Sequence, residues 1–215
     1  MKGKPRDRLV ETALRLFCRH GFHATGIDTI LAEAGVAKMT LYNHFASKEA
    51  LILATLRRRD AEFRGWFVRE VESRSRSPRG RLAAVFDVIA DWCARPGFYG
   101  CMFINASAEF HRRDDPIHVV AAENKRAVTR YLRSLAEAAG ARDPKSLAEQ
   151  LTVLVEGAIV LSHVYGGTAP VRRAAAAARP ILEAAFGPAR RSLRTRIKTP
   201  QTVRRAPRKR ARPAA

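Results

Sequence analysis

Apolar residues in this chain recur at intervals of three and four positions, which is the spacing of one face of an α-helix. Long stretches of strict apolar–polar alternation, the pattern of half-buried strands, do not occur in it. Breaks that contain proline divide the pattern into separate helices at Ser77-Pro78, Pro96-Gly97, Asp115-Pro116 and Asp143-Pro144. The sequence therefore predicts a chain that is nearly all α-helical.

Residues 26–45 predict two short helices joined at Gly35, which supplies the left-handed residue that a tight helix–helix turn commonly needs. Apolar residues from Ile27 to Ala34 give the first helix one buried stripe, and Leu41 anchors the second. The second helix leaves these residues for contacts outside the domain: Lys38, Met39, Thr40, Tyr42, Asn43 and His44. The pattern is typical of a helix-turn-helix, although two apolar helices joined at a glycine also occur in ordinary bundles.

The flanking sequence favours the helix-turn-helix. An apolar helical face runs from Leu9 to Phe17 and stops at Gly21, and Ser47 can cap a further helix. An ordered signature covers residues 9–56 and consists of Ala13, Phe17, Gly21, Phe22, Thr25, Ile30, Ala34, Gly35, Val36, Thr40, Leu41, Tyr42, His44, Phe45, Ser47, Lys48, Glu49 and Leu51. It resembles the DNA-binding domain of the tetracycline-repressor (TetR) family of bacterial transcription regulators.

The resemblance implies phosphate contacts, which orient a protein on DNA without reading its sequence. The residues in the matching positions are Thr25, Tyr42, His44 and Lys48. Tyr42 has a second interpretation, as a half-buried hydrophobe that orients the helix.

Base contacts are expected from the same helix. Lys38, Thr40 and Asn43 can reach base edges, where lysine favours guanine and asparagine favours adenine. Met39 can pack on a thymine methyl group. For Asn43 a solvated helix face is the alternative.

Two helix caps are among the positions that depart from the family pattern. Gly26 and Ala37 stand where a serine or threonine usually caps the second and third helices. Glycine at a cap loses only a few tenths of a kcal/mol, whereas alanine costs about 1 kcal/mol.

The 215 residues suffice for a small DNA-binding domain and a larger one. We expect a helix-turn-helix domain over residues 1–50, a helical effector-binding and dimerisation domain over 51–187, and a basic disordered tail over 188–215. Six helices are expected after the DNA-binding domain, as the family resemblance implies.

The last two helices are expected to form the dimer interface, with an intrachain core as the alternative explanation of their apolar stripes. The stripe of the first consists of Leu147, Leu151, Leu154, Val155, Ala158 and Leu161. The second contains residues 174–178, Ile181, Leu182 and Ala185. Small residues among them permit close helix approach.

An effector pocket is expected where polar residues interrupt apolar helices. The polar candidates are Asn105, Glu109, Glu156 and His163, and the candidate walls are Trp92, Phe103 and Tyr165. For each polar residue a satisfied hydrogen bond in a core or interface is the alternative. Glu156 is flanked by apolar residues on both sides, so its carboxylate needs a partner, a raised pKa or a ligand.

The formal net charge of +20 is unevenly placed. Residues 188–215 contain eleven lysines and arginines and no acid, together with four prolines. Such a segment is expected to be disordered and to bind DNA phosphates without reading sequence, unless it is only a solubilising extension.

Three cysteines at unrelated spacings fit a reducing cytosol, and the histidines lack metal-ligand spacing. No apolar run reaches about 18 residues, and no signal-peptide pattern opens the chain. We therefore expect a cytoplasmic protein with no cofactor, metal or membrane partner. The function predicted is a dimeric, ligand-responsive repressor that binds a palindromic operator; the alternative is a non-specific, nucleoid-type DNA binder. An enzyme is disfavoured because nucleophile–base pairs and phosphate loops are absent from the sequence.

Overall fold

A computed structural model of the chain describes residues 3–187. Within that range the chain forms nine α-helices and no strand. They are α1 (Pro5–His20), α2 (Ile27–Ala34), α3 (Lys38–His44), α4 (Lys48–Arg74), α5 (Pro78–Cys93), α6 (Met102–Glu109), α7 (Pro116–Ala138), α8 (Pro144–Tyr165) and α9 (Ala169–Phe186). The all-α fold and the six helices after the helix-turn-helix are confirmed. The basic segment 188–215 lies outside the described residues.

Side-chain caps explain why four of the helices begin where the sequence predicts. The hydroxyl of Ser47 accepts a hydrogen bond from a backbone N–H in the first turn of α4, and Ser77 does the same for α5. The carboxylates of Asp115 and Asp143 cap α7 and α8, each followed by a proline that fits the first turn.

Helices α1, α2 and α3 pack around one small core and are called the reading head below. Phe17, Phe22, Ile30 and Leu41 are fully buried in it. Gly35 adopts the left-handed conformation, with φ 60° and ψ 44°, and its N–H closes the last turn of α2. The predicted turn is confirmed, and α2 and α3 begin at Gly26 and Ala37 without a side-chain cap.

Helix α4 connects the reading head to the other helices. It is continuous over 27 residues, so the expected domain boundary at residue 50 falls inside it. It packs on α1 within the reading head and on α5 and α7 beyond it. A displacement of α4 would therefore change its packing both on the reading head and on the other helices.

The stripe predicted for dimerisation on α8 belongs largely to the intrachain core. Leu147, Leu151, Val155 and Ala158 are buried within the chain, between α8 and its neighbours α7 and α9. The apolar residues that α8 exposes lie on another face: Val153, Val160, Leu161, Val164 and Tyr165. Of the predicted stripe only Leu161 belongs to that face. The spacing of apolar residues did not distinguish the buried face from the exposed face, because α8 carries apolar residues on both faces.

Helix α8 is the one described helix that is long and apolar enough, by length and composition, to cross a membrane. Its packing on α7 and α9 accounts for the apolar residues of its inner face.

Candidate functional site

Helix α3 offers an exposed polar and aromatic surface. Leu41 is fully buried and fixes the helix on the reading head. Met39 is 73% exposed and Tyr42 is 48% exposed. Lys38, Asn43 and His44 are also exposed, and Thr40 is half-buried. Six of the eight residues expected at the DNA therefore lie on one short helix, five of them exposed to solvent and Thr40 in part.

Thr25 does not belong to that exposed surface. It is only 3% exposed, and its hydroxyl donates to the Gly21 carbonyl oxygen over 2.7 Å. Its position after the end of α1 turns the side chain inward, so the expected role as a phosphate contact is not supported by this arrangement. Lys48, at the start of α4, is half-buried, and its Nζ lies 3.4 Å from the His23 carbonyl oxygen.

Arg8 is a residue of the reading head that sequence reasoning missed. Its Nε donates to the Ala34 carbonyl oxygen over 3.1 Å, and its guanidinium also contacts the Gly35 carbonyl. The C-terminal end of a helix leaves carbonyl groups unpaired and carries partial negative charge, which a guanidinium satisfies. No local signal links Arg8 to α2, because the two are 26 residues apart.

Glu109 joins α6 to the reading head. Its carboxylate oxygens accept hydrogen bonds from the backbone N–H groups of Phe22 (2.9 Å) and His23 (2.6 Å). The ring of Phe110 packs at the same junction, against the rings of both residues. A side chain on Gly21, which has φ 84°, would collide with the same carboxylate. The predicted pocket role of Glu109 is therefore replaced by a contact between the two parts of the chain.

An apolar cavity lies between α4, α5, α6, α7 and α8. Its enclosed free volume is about 20 Å³, room for about one water molecule, so a small-molecule ligand needs the surrounding helices to move apart. Trp92, Phe103 and Glu156 line it, as expected. Its remaining aromatic walls are Phe63 and Phe67 of α4.

Three polar residues of the cavity escaped sequence reasoning: Arg59, Asn124 and Lys125. Each lies on a helix with many other charged residues on its solvent face, so the sequence does not indicate that its side chain points into the cavity.

Lys125 is the partner that Glu156 requires. The Lys125 ammonium donates to both carboxylate oxygens, at 2.7 and 2.9 Å, and lies 3.1 Å from the Cys101 Sγ. Burial opposes the charge of the lysine, but the Cys101 sulfur and the Glu156 carboxylate outweigh it and raise the pKa of Lys125. The pair is therefore charged on both sides and neutral overall.

The other expected pocket residues lie elsewhere. Asn105 donates to the Tyr99 carbonyl oxygen and lines a separate small cavity beside residues 97–100. His163 is exposed near the end of α8, where its ring lies near that of Phe98. Tyr165 is 70% exposed. These three residues lie outside the main cavity, because the sides of α6 and α8 that carry them face the smaller cavity or solvent.

The three cysteines are free thiols. Cys93 and Cys101 are buried, and Cys18 is half-buried. Burial raises the pKa of the Cys93 thiol to about 11 and also raises the pKa of Cys18, so both stay protonated at neutral pH.

Comparison with known proteins links both parts of the chain to one family. Residues 9–55 match "Bacterial regulatory proteins, tetR family", and residues 78–178 match "Tetracyclin repressor-like, C-terminal domain". The transcriptional activator FasR of Mycolicibacterium smegmatis is 39% identical over 88 residues, which are 40% of this chain and 39% of FasR. The transcriptional repressor ComR of Escherichia coli is 30% identical over 109 residues, which are 48% of this chain and 52% of ComR. The chain thus spans about half, or less, of these curated relatives.

Solved structures extend the likeness to nearly the whole fold. A TetR-family regulator from Streptomyces coelicolor is 31% identical, with a TM-score of 0.80 over 85% of this chain and 96% of its own. A putative TetR regulator from Streptomyces avermitilis is 32% identical, with a TM-score of 0.68 over 82% of this chain and 98% of its own. The reduced form of Escherichia coli NemR shares the fold, with a TM-score of 0.74 at 24% identity over 83% of this chain and 97% of its own. The relatives reported above are transcriptional regulators and not enzymes. With this coverage and identity, and with an exposed α3 on a helix-turn-helix, the chain belongs to the TetR family of bacterial transcriptional regulators.

Proposed function

We propose that the chain is a homodimeric repressor that binds a palindromic operator and leaves it when a small molecule binds. The exposed surface of α3 is the observation that carries the proposal. Tyr42, His44 and Lys48 are assigned to phosphates, and Lys38, Met39, Thr40 and Asn43 to base edges. A twofold dimer places two such helices about 34–36 Å apart, or a multiple of that distance, and so selects a palindrome.

The exposed apolar face of α8 supports the dimer. Val153, Val160 and Val164 follow one another at helical spacing, and Val153 is 72% exposed. Gly157 is exposed between them, and small exposed residues such as Ala177 and Ala184 lie on the neighbouring α9. An apolar surface rimmed by polar residues is typical of an interface, and small residues allow two helix pairs to approach closely. We propose that α8 and α9 of two chains form a four-helix bundle through this face.

Ligand release follows from the position of the cavity. Its walls include Phe63 and Phe67 on α4, the helix whose first turn holds the reading head, and Phe103 on α6, the helix that ends at Glu109. A ligand that fits only a displaced arrangement of α4 and α6 would shift the population away from the DNA-binding spacing.

The test is to select DNA fragments with the purified full-length protein and then to measure operator affinity of Tyr42→Ala. We expect selection of a palindrome, and loss of its binding in a variant that remains folded and dimeric by circular dichroism and light scattering. Tyr99→Ala, which truncates an exposed tyrosine outside the reading head, is the matched control. Operator binding retained by Tyr42→Ala would contradict the assigned role of α3.

Non-specific DNA binding is the second candidate function, and the eleven basic residues of segment 188–215 favour it. Footprinting separates the two functions, because a nucleoid-type protein protects DNA without a preferred palindrome. A cytoplasmic location follows from either function, since both require access to the chromosome. A reporter gene placed behind the selected operator distinguishes repression from activation.

A further inference from the structure

Most polar groups of the cavity already have partners within the protein. Lys125 and Glu156 bind each other, and Lys125 also donates to Cys101. The side-chain amide of Asn124 donates to Asp60 over 2.8 Å. None of these groups needs a ligand to satisfy it.

Arg59 is the exception. Within residues 3–187 its guanidinium has no hydrogen-bond or ion-pair partner. It lies 5.8 Å from the centroid of the Phe63 ring, and its charge acts on the neighbouring Cys18 thiol, where it opposes the rise in pKa that burial causes. The two acids that follow it within one turn of α4 are engaged elsewhere, since Glu62 pairs with Arg58 and Asp60 with Arg64. An arginine carries five N–H donors and keeps its charge at any physiological pH.

The charge of the cavity is therefore unbalanced. The Lys125–Glu156 pair is neutral overall, so Arg59 leaves one uncompensated positive charge in a site with aromatic walls. A cationic ligand would be repelled, and a neutral one would leave the charge of the guanidinium uncompensated. A planar carboxylate matches the guanidinium fork with two parallel hydrogen bonds.

Arg59 also stands at a junction. Together with Trp92 and Met102 it lines both the main cavity and the smaller one beside residues 97–100. A ligand that moves the surrounding helices apart would thus place its charged end at Arg59 and its apolar body among Phe63, Trp92 and Phe103.

We propose that the effector of this protein is an organic carboxylate with an apolar body, whose carboxylate pairs with Arg59. The inference rests on the proposed function, because it names the ligand class of that same cavity. Arg59 lies on α4, so the new ion pair acts directly on the helix that carries the reading head.

Calorimetry on the full-length protein without DNA tests the ligand class. The probes are 2-naphthoate and 4-phenylbutyrate, each compared with its primary amide. We expect wild type to bind each acid about tenfold or more tightly than its amide, as charge-assisted bidentate pairing predicts. Arg59→Gln is expected to lose this preference, and Arg59→Lys to keep part of it because the charge remains. Arg57→Gln, a neighbouring exposed arginine that does not line the cavity, is the matched control and keeps the preference.

Amide binding to Arg59→Gln, measured alongside its melting temperature, checks that the cavity of the variant is intact. Three results would overturn the proposal: amides that bind as tightly as the acids, an unchanged acid preference in Arg59→Gln, or no binding of either acid at millimolar concentration. A different result would contradict the proposed function. Acids that bind at Arg59 but leave the affinity for the selected operator unchanged would contradict ligand release and leave the ligand class standing.

Discussion

Truncating Glu109 to alanine is expected to weaken the junction between α6 and the reading head. The substitution removes the acceptor of two backbone N–H groups, those of Phe22 and His23. The stacking of His23 on Phe110 remains, and so does the packing of Phe22. The variant therefore tests the carboxylate and not the apolar part of the contact.

The magnitude follows from the geometry. A hydrogen bond to an ionised group contributes about 1.5–3 kcal/mol net. His23 is exposed and Glu109 is half-buried, so water can replace part of what the carboxylate provides. We therefore expect a combined loss of about 2 kcal/mol, less than the roughly 3–6 kcal/mol of two such bonds shielded from water. For a chain of this size that loss corresponds to a fall of about 4–8 °C in melting temperature.

The assay is thermal unfolding followed by circular dichroism, with operator affinity measured with and without ligand. Glu109→Ala is expected to bind ligand normally but to show a smaller ligand-induced change in operator affinity, because α6 no longer holds the reading head. Glu123→Ala, an exposed carboxylate of α7, is the control. A variant that melts and responds to ligand like wild type would refute the proposed coupling.

Three further predictions concern other parts of the chain. Ala37→Ser should stabilise the protein by about 1 kcal/mol, because it gives α3 the side-chain cap it lacks; an unchanged unfolding midpoint in urea would contradict this. Burial disfavours ionised Asp60, but hydrogen bonds from Arg64 and Asn124 outweigh it and lower its pKa. Its contribution to stability is then present above the unfolded-state value of about 3.9 and is lost as pH falls through the lower folded-state pKa. Asp60→Asn should accordingly be less stable than wild type at pH 7, with a difference that shrinks below about pH 4; a constant difference would refute the linkage. Deletion of residues 188–215 should flatten the salt dependence of DNA affinity, and an equal slope would leave that segment without a role in binding.

Much of the fold was predictable because its signals are local. The starts of α5, α7 and α8 were correct because a capping Ser77, Asp115 or Asp143 and its proline act within one turn. The turn at Gly35 was correct because its conformation excludes most other residues.

The candidate sites were predictable only in part. The exposed residues of α3 could be predicted because a single helix with one buried residue, Leu41, leaves its other side chains facing solvent. The cavity did not, because a polar residue in an apolar helix can face a core, an interface or another domain. Glu156 and Glu109 are both acidic residues that interrupt an apolar helical pattern. Glu156 lines the cavity and pairs with Lys125, whereas Glu109 accepts hydrogen bonds from the reading head.

The sequence by itself determined the helices, the turn and the family, since periodicity, caps and the ordered signature of residues 9–56 are properties of neighbouring positions. Only the tertiary structure decided which apolar face of α8 points inward and that Glu109 reaches Phe22, 87 positions away. It also decided that Lys125 neutralises Glu156 while Arg59 pairs with no acid within residues 3–187. These outcomes depend on contacts between helices distant in the chain, where packing and charge pairing select among faces that the local pattern leaves equivalent.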